Sequence, residues 1–298
     1  MTDPRPAITV DELTVVIVTY NSAHCVPALA AGLQGITRVI VVDNASDDDT
    51  VACIQAQIPQ AWVLANASNL GFGAANNRAL REVQTRYSLL LNPDCLPGEG
   101  FFMGMVRAAN QFPDAAILAP HLLRRNGEVE LSYRWPATHW TSAGPGALGS
   151  CSVGFVCGAV MLLNMPVMQT IGFFDETFFL YYEDEDLCQR VFLANGDIVL
   201  VPDVTIAHLS RGSVRGRSPL RSEYLRGYHH AQSKLVFEFK YFGEQATHQL
   251  RWRTLVLALL TLVPRLLLPQ PRYLARLLGR IVGLWRATPH SSSTRLAG

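Results

Sequence analysis

Four consecutive carboxylates, Glu183-Asp184-Glu185-Asp186, follow Tyr181 and Tyr182 in a chain in which only 16% of residues are charged. Adjacent acids repel. Such a cluster can raise one pKa into the range of a general base, or it can hold a divalent cation. The competing reading is a solvated helix start, where acids gain from the macrodipole. Upstream, Asn92-Pro93-Asp94 places an amide and an acid two residues apart behind the apolar run 89–91. In an extended geometry both oxygens would point the same way and reach a Mg²⁺ or Mn²⁺ that also holds a diphosphate. The same tripeptide is a common turn. His208 ends the run Val204-Thr205-Ile206-Ala207. It reads as a satisfied core histidine or, in company with Asp94, as a neutral imidazole ligand.

Asn69-Leu70-Gly71-Phe72-Gly73 opens flexible backbone onto a helix start, a place for a phosphate or the diphosphate edge of a nucleotide. It is not a dinucleotide fingerprint. That motif needs G-x-G-x-x-G after the first strand, whereas here Asn76 takes the third glycine's place after the third strand. This argues against a nicotinamide-dependent dehydrogenase.

The elements that must position these groups alternate. β-branched runs at 14–19, 39–42, 62–65 and 88–91 are separated by helix-like segments at 27–34, 50–57 and 74–84. This is βαβ logic, an α/β fold with a mostly parallel sheet covered on both faces, whose ligands sit outside the carboxyl ends of strands. Those ends are polar: Thr19-Tyr20-Asn21, Asp43-Asn44, Asn66 with Asn69, and Asn92-Pro93-Asp94. Ser46, with Asp49 three residues on, reads as the cap of the helix at 50–57, for which Asp43 lies too early. Residues 121–152 read as a long irregular segment of the kind usually tied to function. A strand at 155–163 and a short helix follow. A further helix from Asp184 carries Leu187, Val191 and Ala194 on one face, pairs Asp186 with Arg190 and stops at Gly196.

Composition describes a globular chain of 298 residues with a formal net charge of +1. That average hides two opposed parts. Residues 1–210 hold 10 Lys and Arg against 21 Asp and Glu, whereas residues 211–298 hold 15 against 3. An acidic body suits cation binding and a basic, Leu-rich tail suits an anionic surface. The six cysteines show no C-x-x-C pair and read as small apolar side chains in a reducing compartment. The N-terminus shows no basic-then-apolar signal pattern, which places the body in the cytoplasm.

Taken in order, Thr19-Tyr20-Asn21, Val42-Asp43-Asn44-Ala45-Ser46, Asn69-Leu70-Gly71-Phe72, Leu91-Asn92-Pro93-Asp94, Gly158-Ala159, Gly172-Phe173-Phe174-Asp175 and Glu183 through Arg190 resemble the inverting glycosyltransferases of family 2. Within that family they are similar to the rhamnosyltransferase-like branch, and the likeness spans residues 13–211. The resemblance implies a GT-A fold over 1–211, with a nucleotide-sugar-binding half at 13–94 and an acceptor half at 95–211, followed by a helical extension at 212–298. It implies transfer of a sugar, best read as L-rhamnose, from a dTDP- or UDP-linked donor to a glycan or polyprenyl-diphosphate-linked acceptor in cell-envelope polysaccharide synthesis. Asp43 would hold the pyrimidine base, with Thr19 and Asn21 cradling the nucleoside and Asn69 and Gly71 beside it. Asp94 matches the last acid of the family's D-x-D metal motif. Asn92 stands at the first, leaving one carboxylate on a Mg²⁺ or Mn²⁺ and giving His208 its interest. Asp184 matches the catalytic base, and Tyr182 and Glu183 would shape the acceptor pocket.

The tail at 250–286 interleaves Leu, Trp and Arg. Its ten-residue run at 254–263 is too short for a bilayer, which needs about 20, but it suits a helix lying in the interface at the inner face of the cell membrane. The competing reading packs an amphipathic pair on the body or in a homodimer. Nucleic-acid binding is disfavoured, because the tail's charges sit within apolar runs. Two rival functions remain. A sugar nucleotidyltransferase would carry a cationic Gly-rich loop after strand one, and here that loop is Thr19-Tyr20-Asn21-Ser22-Ala23-His24. A non-catalytic scaffold of the same fold would have lost one of Asp43, Asp94 and Asp184, and all three are present.

Overall fold

The computed structural model describes residues 7–134, 146–209, 218–267 and 270–287. The chain divides into two compact units, Met1–Phe174 with Asp184–Arg215, and Asp175–Glu183 with Gly216–Gly298. The expected boundary at 211–212 and residues 135–145 of the irregular segment lie outside the described residues.

In the first unit, β1 (Leu13–Thr19), α1 (Val26–Gly32), β2 (Val39–Asp43), α2 (Thr50–Gln57), β3 (Ala61–Ala65), α3 (Phe72–Leu80) and β4 (Tyr87–Leu91) alternate as the periodicity demands. β2 and β4 are buried at every position. That is why they read as unbroken apolar runs rather than alternating ones. The four strands pair in parallel in the order β3-β2-β1-β4, with Thr19 opposite Asp43 and Val16 opposite Leu90. Their carboxyl ends therefore lie on one edge.

β5 (Cys95–Leu96), α4 (Phe101–Gln111), β6 (Ile117–Leu123), β7 (Val129–Glu130), β8 (Tyr133–Arg134), β9 (Cys151–Ser152), β10 (Phe155–Val156), β11 (Val160–Asn164), α5 (Met165–Ile171), α6 (Glu183–Leu193) and β12 (Ile198–His208) follow. The sheet continues from β4 through β11, β6 and β12 to β5, and β11 runs antiparallel to both its neighbours. Side chains alternate between two cores. Val15, Ile17, Leu89 and Leu91 pack on the face that carries α4, and Val16, Leu90, Met161 and Leu163 pack with Leu187 and Val191 of α6 on the other.

Three local expectations are corrected. The strand expected at 155–163 is two strands, β10 and β11, separated by Cys157-Gly158-Ala159. Asn92-Pro93-Asp94 is not extended: the Cys95 N–H donates to the Asn92 carbonyl at 3.0 Å, closing a turn. The preference of Pro and Asn for turns outweighs the strand before them. Ser46 does not cap α2, whose N-cap residue is Asp49. Its hydroxyl is drawn instead to the buried carboxylate of Asp43. All six cysteines are free, and Cys25, Cys95 and Cys188 are buried.

The second unit holds α7 (Pro219–Leu267), broken at Gly243 (φ 82°, ψ −176°), and α8 (Pro271–Arg286). A Cβ on Gly227 would collide with the carbonyl oxygen of Arg276, one on Gly279 with that of Tyr224, and one on Gly283 with that of Tyr228. The helix backbones touch where these glycines stand. Glu223 accepts from Arg226 at 3.1 Å and forms an ion pair with Arg276 at 2.8 Å, tying the pair at one end. The segment 175–183 packs on α7: Lys240 pairs with Asp175 at 2.6 Å and the Ser233 hydroxyl donates to the Leu180 carbonyl at 2.9 Å. Among the described residues no helix is long and apolar enough to cross a membrane.

Candidate active site

Asp43 ends β2 almost fully buried. Its Oδ1 accepts from the hydroxyls of Thr19 (3.1 Å) and Ser46 (2.5 Å), and its Oδ2 accepts from the Ser46 N–H (2.9 Å). Three donors hold a charge that burial alone would penalise. Asn21, at a left-handed φ of 52°, accepts from the Asp47 N–H at 2.8 Å and donates its own N–H to the Ser46 hydroxyl at 2.9 Å.

The next residue, Asn44, organises the neighbouring loop. Its amide donates to Asn69 Oδ1 (2.9 Å) and the Gly71 carbonyl (3.1 Å) and accepts from Asn66 Nδ2 (2.9 Å) and the Leu70 N–H (2.9 Å). Gly71 sits at φ 88° and ψ 174°, which only glycine adopts freely, and leads into α3. Sequence reasoning put Asn44 on the rim without a role. The signal was its place one residue past Asp43, at a strand end.

Asp94, buried just past β4, meets His208 through the sheet. β5 pairs antiparallel with β12 so that Cys95 lies opposite His208, and His208 Nε2 stands 3.9 Å from Asp94 Oδ1. On its other side His208 Nδ1 lies 3.1 Å from Glu130 Oε2. Burial by itself would lower the imidazole pKa. The hydrogen bond to Glu130 and the charges of Asp94 and Glu130 outweigh burial and hold it above the ordinary value. Ligand atoms of Asp94, Cys95 and His208 lie within 4.8 Å of one another. The carboxylate oxygen suits Mg²⁺ or Mn²⁺, and the imidazole beside it is a softer donor that favours Mn²⁺ over Mg²⁺. The Cys95 thiol is a poor partner for a hard cation. Burial, reinforced by the Asp94 charge, pushes its pKa well up.

Asp184 occupies the first turn of α6. Its Oδ2 accepts from the Gly158 N–H at 3.0 Å and its Oδ1 from the Glu185 N–H at 2.9 Å. Burial raises its pKa above the ordinary carboxylate value, and the Glu185 charge adds to the rise. The two backbone bonds and the Arg134 guanidinium, which pairs with Glu185 and lies 3.9 Å over the Phe155 ring, pull the other way without cancelling it. Gly158 is the meeting point: a Cβ there would lie 3.2 Å from Asp184 Cβ and 3.4 Å from Phe72 Cε1. The next residue, Ala159, accepts the Asn92 N–H at 2.9 Å. The break between β10 and β11 thus ties Asp184 to the turn that carries Asp94. Asp43 lies on the same edge, two strands from β4. Nothing in the sequence pointed to Arg134, whose partner lies 51 residues away.

Tyr182 and Glu183 belong to the second unit and both are buried there, with the Tyr182 ring 5.5 Å from those of Phe237 and His230. Tyr181 and Tyr182 each have a φ of 69°. Left-handed backbone at a bulky residue costs on the order of 1–3 kcal/mol. The packing on α7 has to hold it.

A mixed α/β sheet flanked by helices, with acidic and amide side chains gathered at the carboxyl edge, defines the GT-A class of nucleotide-diphospho-sugar transferases. The family model described as Glycosyl transferase family 2 matches residues 14–172, and the chain belongs to that family. It is 28% identical over 254 residues to the N-acetylglucosaminyl-diphospho-decaprenol L-rhamnosyltransferase of Mycobacterium tuberculosis, covering 74% of this chain and 82% of the relative. It is 28% identical over 200 residues to a low-salt glycan biosynthesis hexosyltransferase of Haloferax volcanii, covering 63% and 64%. Among solved structures, the mannosyltransferase PcManGT from Pyrobaculum calidifontis, in complex with GDP-Man and Mn²⁺, superposes with a TM-score of 0.55 at 17% identity over 92% of this chain and 87% of that one. TarS 1–349 from S. aureus in complex with UDP-GlcNAc does so with a TM-score of 0.52 at 16% identity over 77% and 73%. The chain is a family 2 glycosyltransferase, and a rhamnosyltransferase is among the proteins it is similar to.

Proposed function

We propose that the protein is an inverting, metal-dependent transferase. It moves a sugar, best read as L-rhamnose, from a dTDP- or UDP-linked donor to a glycan or polyprenyl-diphosphate-linked acceptor in cell-envelope polysaccharide synthesis. What supports this most is the hydrogen bond from the Gly158 N–H to Asp184, which ties a carboxylate of raised pKa to the edge that carries Asp94 and Asp43. In this reading Asp43 accepts from the base of the nucleotide, within the cradle of Thr19 and Asn21. Asn69 and Gly71 frame the backbone beside the diphosphate, and Asn92 lies at the turn. Asp94 and His208 would hold Mg²⁺ or Mn²⁺, which when bound neutralises charge on the leaving diphosphate. Asp184 takes the proton of the acceptor hydroxyl while that oxygen attacks the anomeric carbon and the diphosphate departs from the opposite face. A single displacement inverts the centre. Tyr182 and Glu183, directly before the base, are assigned to the acceptor side.

The acceptor class is supported by the relative from M. tuberculosis, whose name specifies a decaprenol-linked acceptor. It is supported too by the outer face of α7, where Trp252, Val256, Leu260, Val263 and Leu267 follow helical spacing and are each about half exposed or more. Such a stripe beside Arg253 suits peripheral contact with an anionic bilayer. A second copy of the chain would bring two basic tails together, which disfavours the homodimer.

The test is incubation with a panel of nucleotide sugars and Mg²⁺, scoring nucleoside diphosphate release with and without a polyprenyl-diphosphate sugar. Release that depends on the acceptor supports the reading. Release that is unchanged by any acceptor and any donor removes it. For the tail, a truncated chain lacking 250–298 that pellets with membranes as well as the full chain would end the membrane assignment.

A further inference from the structure

We infer that Glu130 is a positioning residue that fixes the tautomer and orientation of His208, so that its Nε2 lone pair serves the cation. The inference rests on the assignment of Asp94 and His208 to a metal made above.

Glu130 is reached through the sheet, not through the sequence. β7 pairs antiparallel with β6, placing Glu130 opposite Leu122, and β12 pairs with β6 on the other side, placing Ile206 opposite the same residue. Residues opposite one another share a face, and His208, two residues beyond Ile206, projects to that face as well. The carboxylate and the imidazole thus meet across β6, with Oε2 3.1 Å from Nδ1. An ionised carboxylate only accepts hydrogen bonds, so Nδ1 must carry the hydrogen. In the neutral ring the lone pair is then on Nε2. That atom faces Asp94 Oδ1 at 3.9 Å. This is too long for a hydrogen bond, yet within the reach of two bonds of about 2.1 Å each to one Mg²⁺ ion. Metal-bound histidines commonly donate their other N–H to a carboxylate, which sets the ring and raises its basicity. Glu130 lies in the loosely patterned stretch 121–152, where nothing in the spacing sets it apart from Glu128 two residues before.

The experiment titrates the full-length protein with MnCl₂ in the presence of UDP or dTDP, following free Mn²⁺ by electron paramagnetic resonance, alongside thermal melts. Glu130→Ala should raise the Mn²⁺ Kd by about 10–100-fold. Activity should return toward the wild-type level at saturating Mn²⁺, and the melting temperature should hold. His208→Ala should weaken Mn²⁺ at least as much, and the double variant no further, since one acts through the other. Glu130→Gln keeps the side-chain volume and a weaker acceptor, so its Kd should fall between wild type and Glu130→Ala. If Glu130→Ala fails to fold, Glu130→Gln decides alone, and a wild-type Kd overturns the inference. A Glu130→Ala Kd within about twofold of wild type, or effects that add in the double variant, also overturns it. Wild-type protein that binds no Mn²⁺ defeats the metal assignment itself, which separates that failure from this one.

Discussion

Glycine does opposite work in the two units. At Gly158 the missing Cβ leaves room for a carboxylate to dock on the backbone N–H, and the space it frees belongs to Asp184 and Phe72. At Gly227, Gly279 and Gly283 the missing Cβ atoms let two helix backbones close on each other and leave no space at all. In the first case glycine serves the docking of a carboxylate at the edge of the sheet, and in the second it serves packing. Substitutions in the first unit should therefore cost activity more than stability, and in the second the reverse.

The sharpest test is at Asp184. Asp184→Asn should lower kcat by about 10²–10⁴-fold, the usual worth of a general base, while donor binding, read by nucleotide titration, stays close to wild type. It should also flatten the dependence of the melting temperature on pH. The sign follows from linkage. Because the folded-state pKa is raised, folding disfavours the ionised carboxylate, so the contribution of this group to stability is fullest at low pH and is lost as pH rises through the folded value. A neutral amide escapes that loss. The same shift places the acid limb of the kcat profile of the wild type above the ordinary Asp value of about 3.9, and a limb at or below that value would contradict the burial of the base.

Next comes Gly279→Val. Filling a helix glycine ordinarily recovers up to about 1 kcal/mol of helix propensity. Here the new side chain meets the backbone of α7, and overpacking costs typically 1–3 kcal/mol or more, so the clash should win. A lower melting temperature with faster proteolysis confined to 216–298 is the expected result. A smaller effect is expected from Gly158→Ala. The contacts at 3.2 and 3.4 Å require shifts of a few tenths of an ångström. Since misplacement by 1 Å can cost 10²-fold, a loss of about tenfold in kcat should accompany a nearly unchanged melt. If the melt falls and kcat does not, the contrast between the two kinds of glycine fails.

The smallest effect tests the rim. Ala45 holds a φ of 64° between Asn44 and Ser46. Left-handed backbone costs an L-residue roughly 1–2 kcal/mol, partly offset by the extra freedom glycine gains when unfolded. Ala45→Gly should therefore stabilise by at most about 1 kcal/mol and leave kcat unchanged, as checked by denaturant unfolding and the transfer assay.

The alternation of strands and helices up to Leu91 could be read because strands buried on both faces show as short unbroken apolar runs between longer mixed segments, and the strand ends with Asp43, Asn69 and Asp94 followed from it. The misread elements share a cause. Ser46 scored as a cap because local hydrogen-bonding chemistry is all that a short window holds, whereas its partner Asp43 is fixed by the β1–β2 register. The strand break at Cys157-Gly158-Ala159 escaped notice because apolar residues continue on both sides, and only the distant carboxylate of Asp184 gives the interruption a purpose.

By itself the chain's order of residues determined the local elements, the polar strand ends, the run of acids and the contrast between an acidic body and a basic tail. Tertiary structure alone decided that His208 stands beside Asp94, that Glu130 reaches His208 across β6, that Gly158 holds Asp184 and that segment 175–183 packs with α7. The physical reason is range. Periodicity and capping act within a few residues, while these contacts depend on strand register and on backbone approaches between segments that lie 26 to over 100 positions apart.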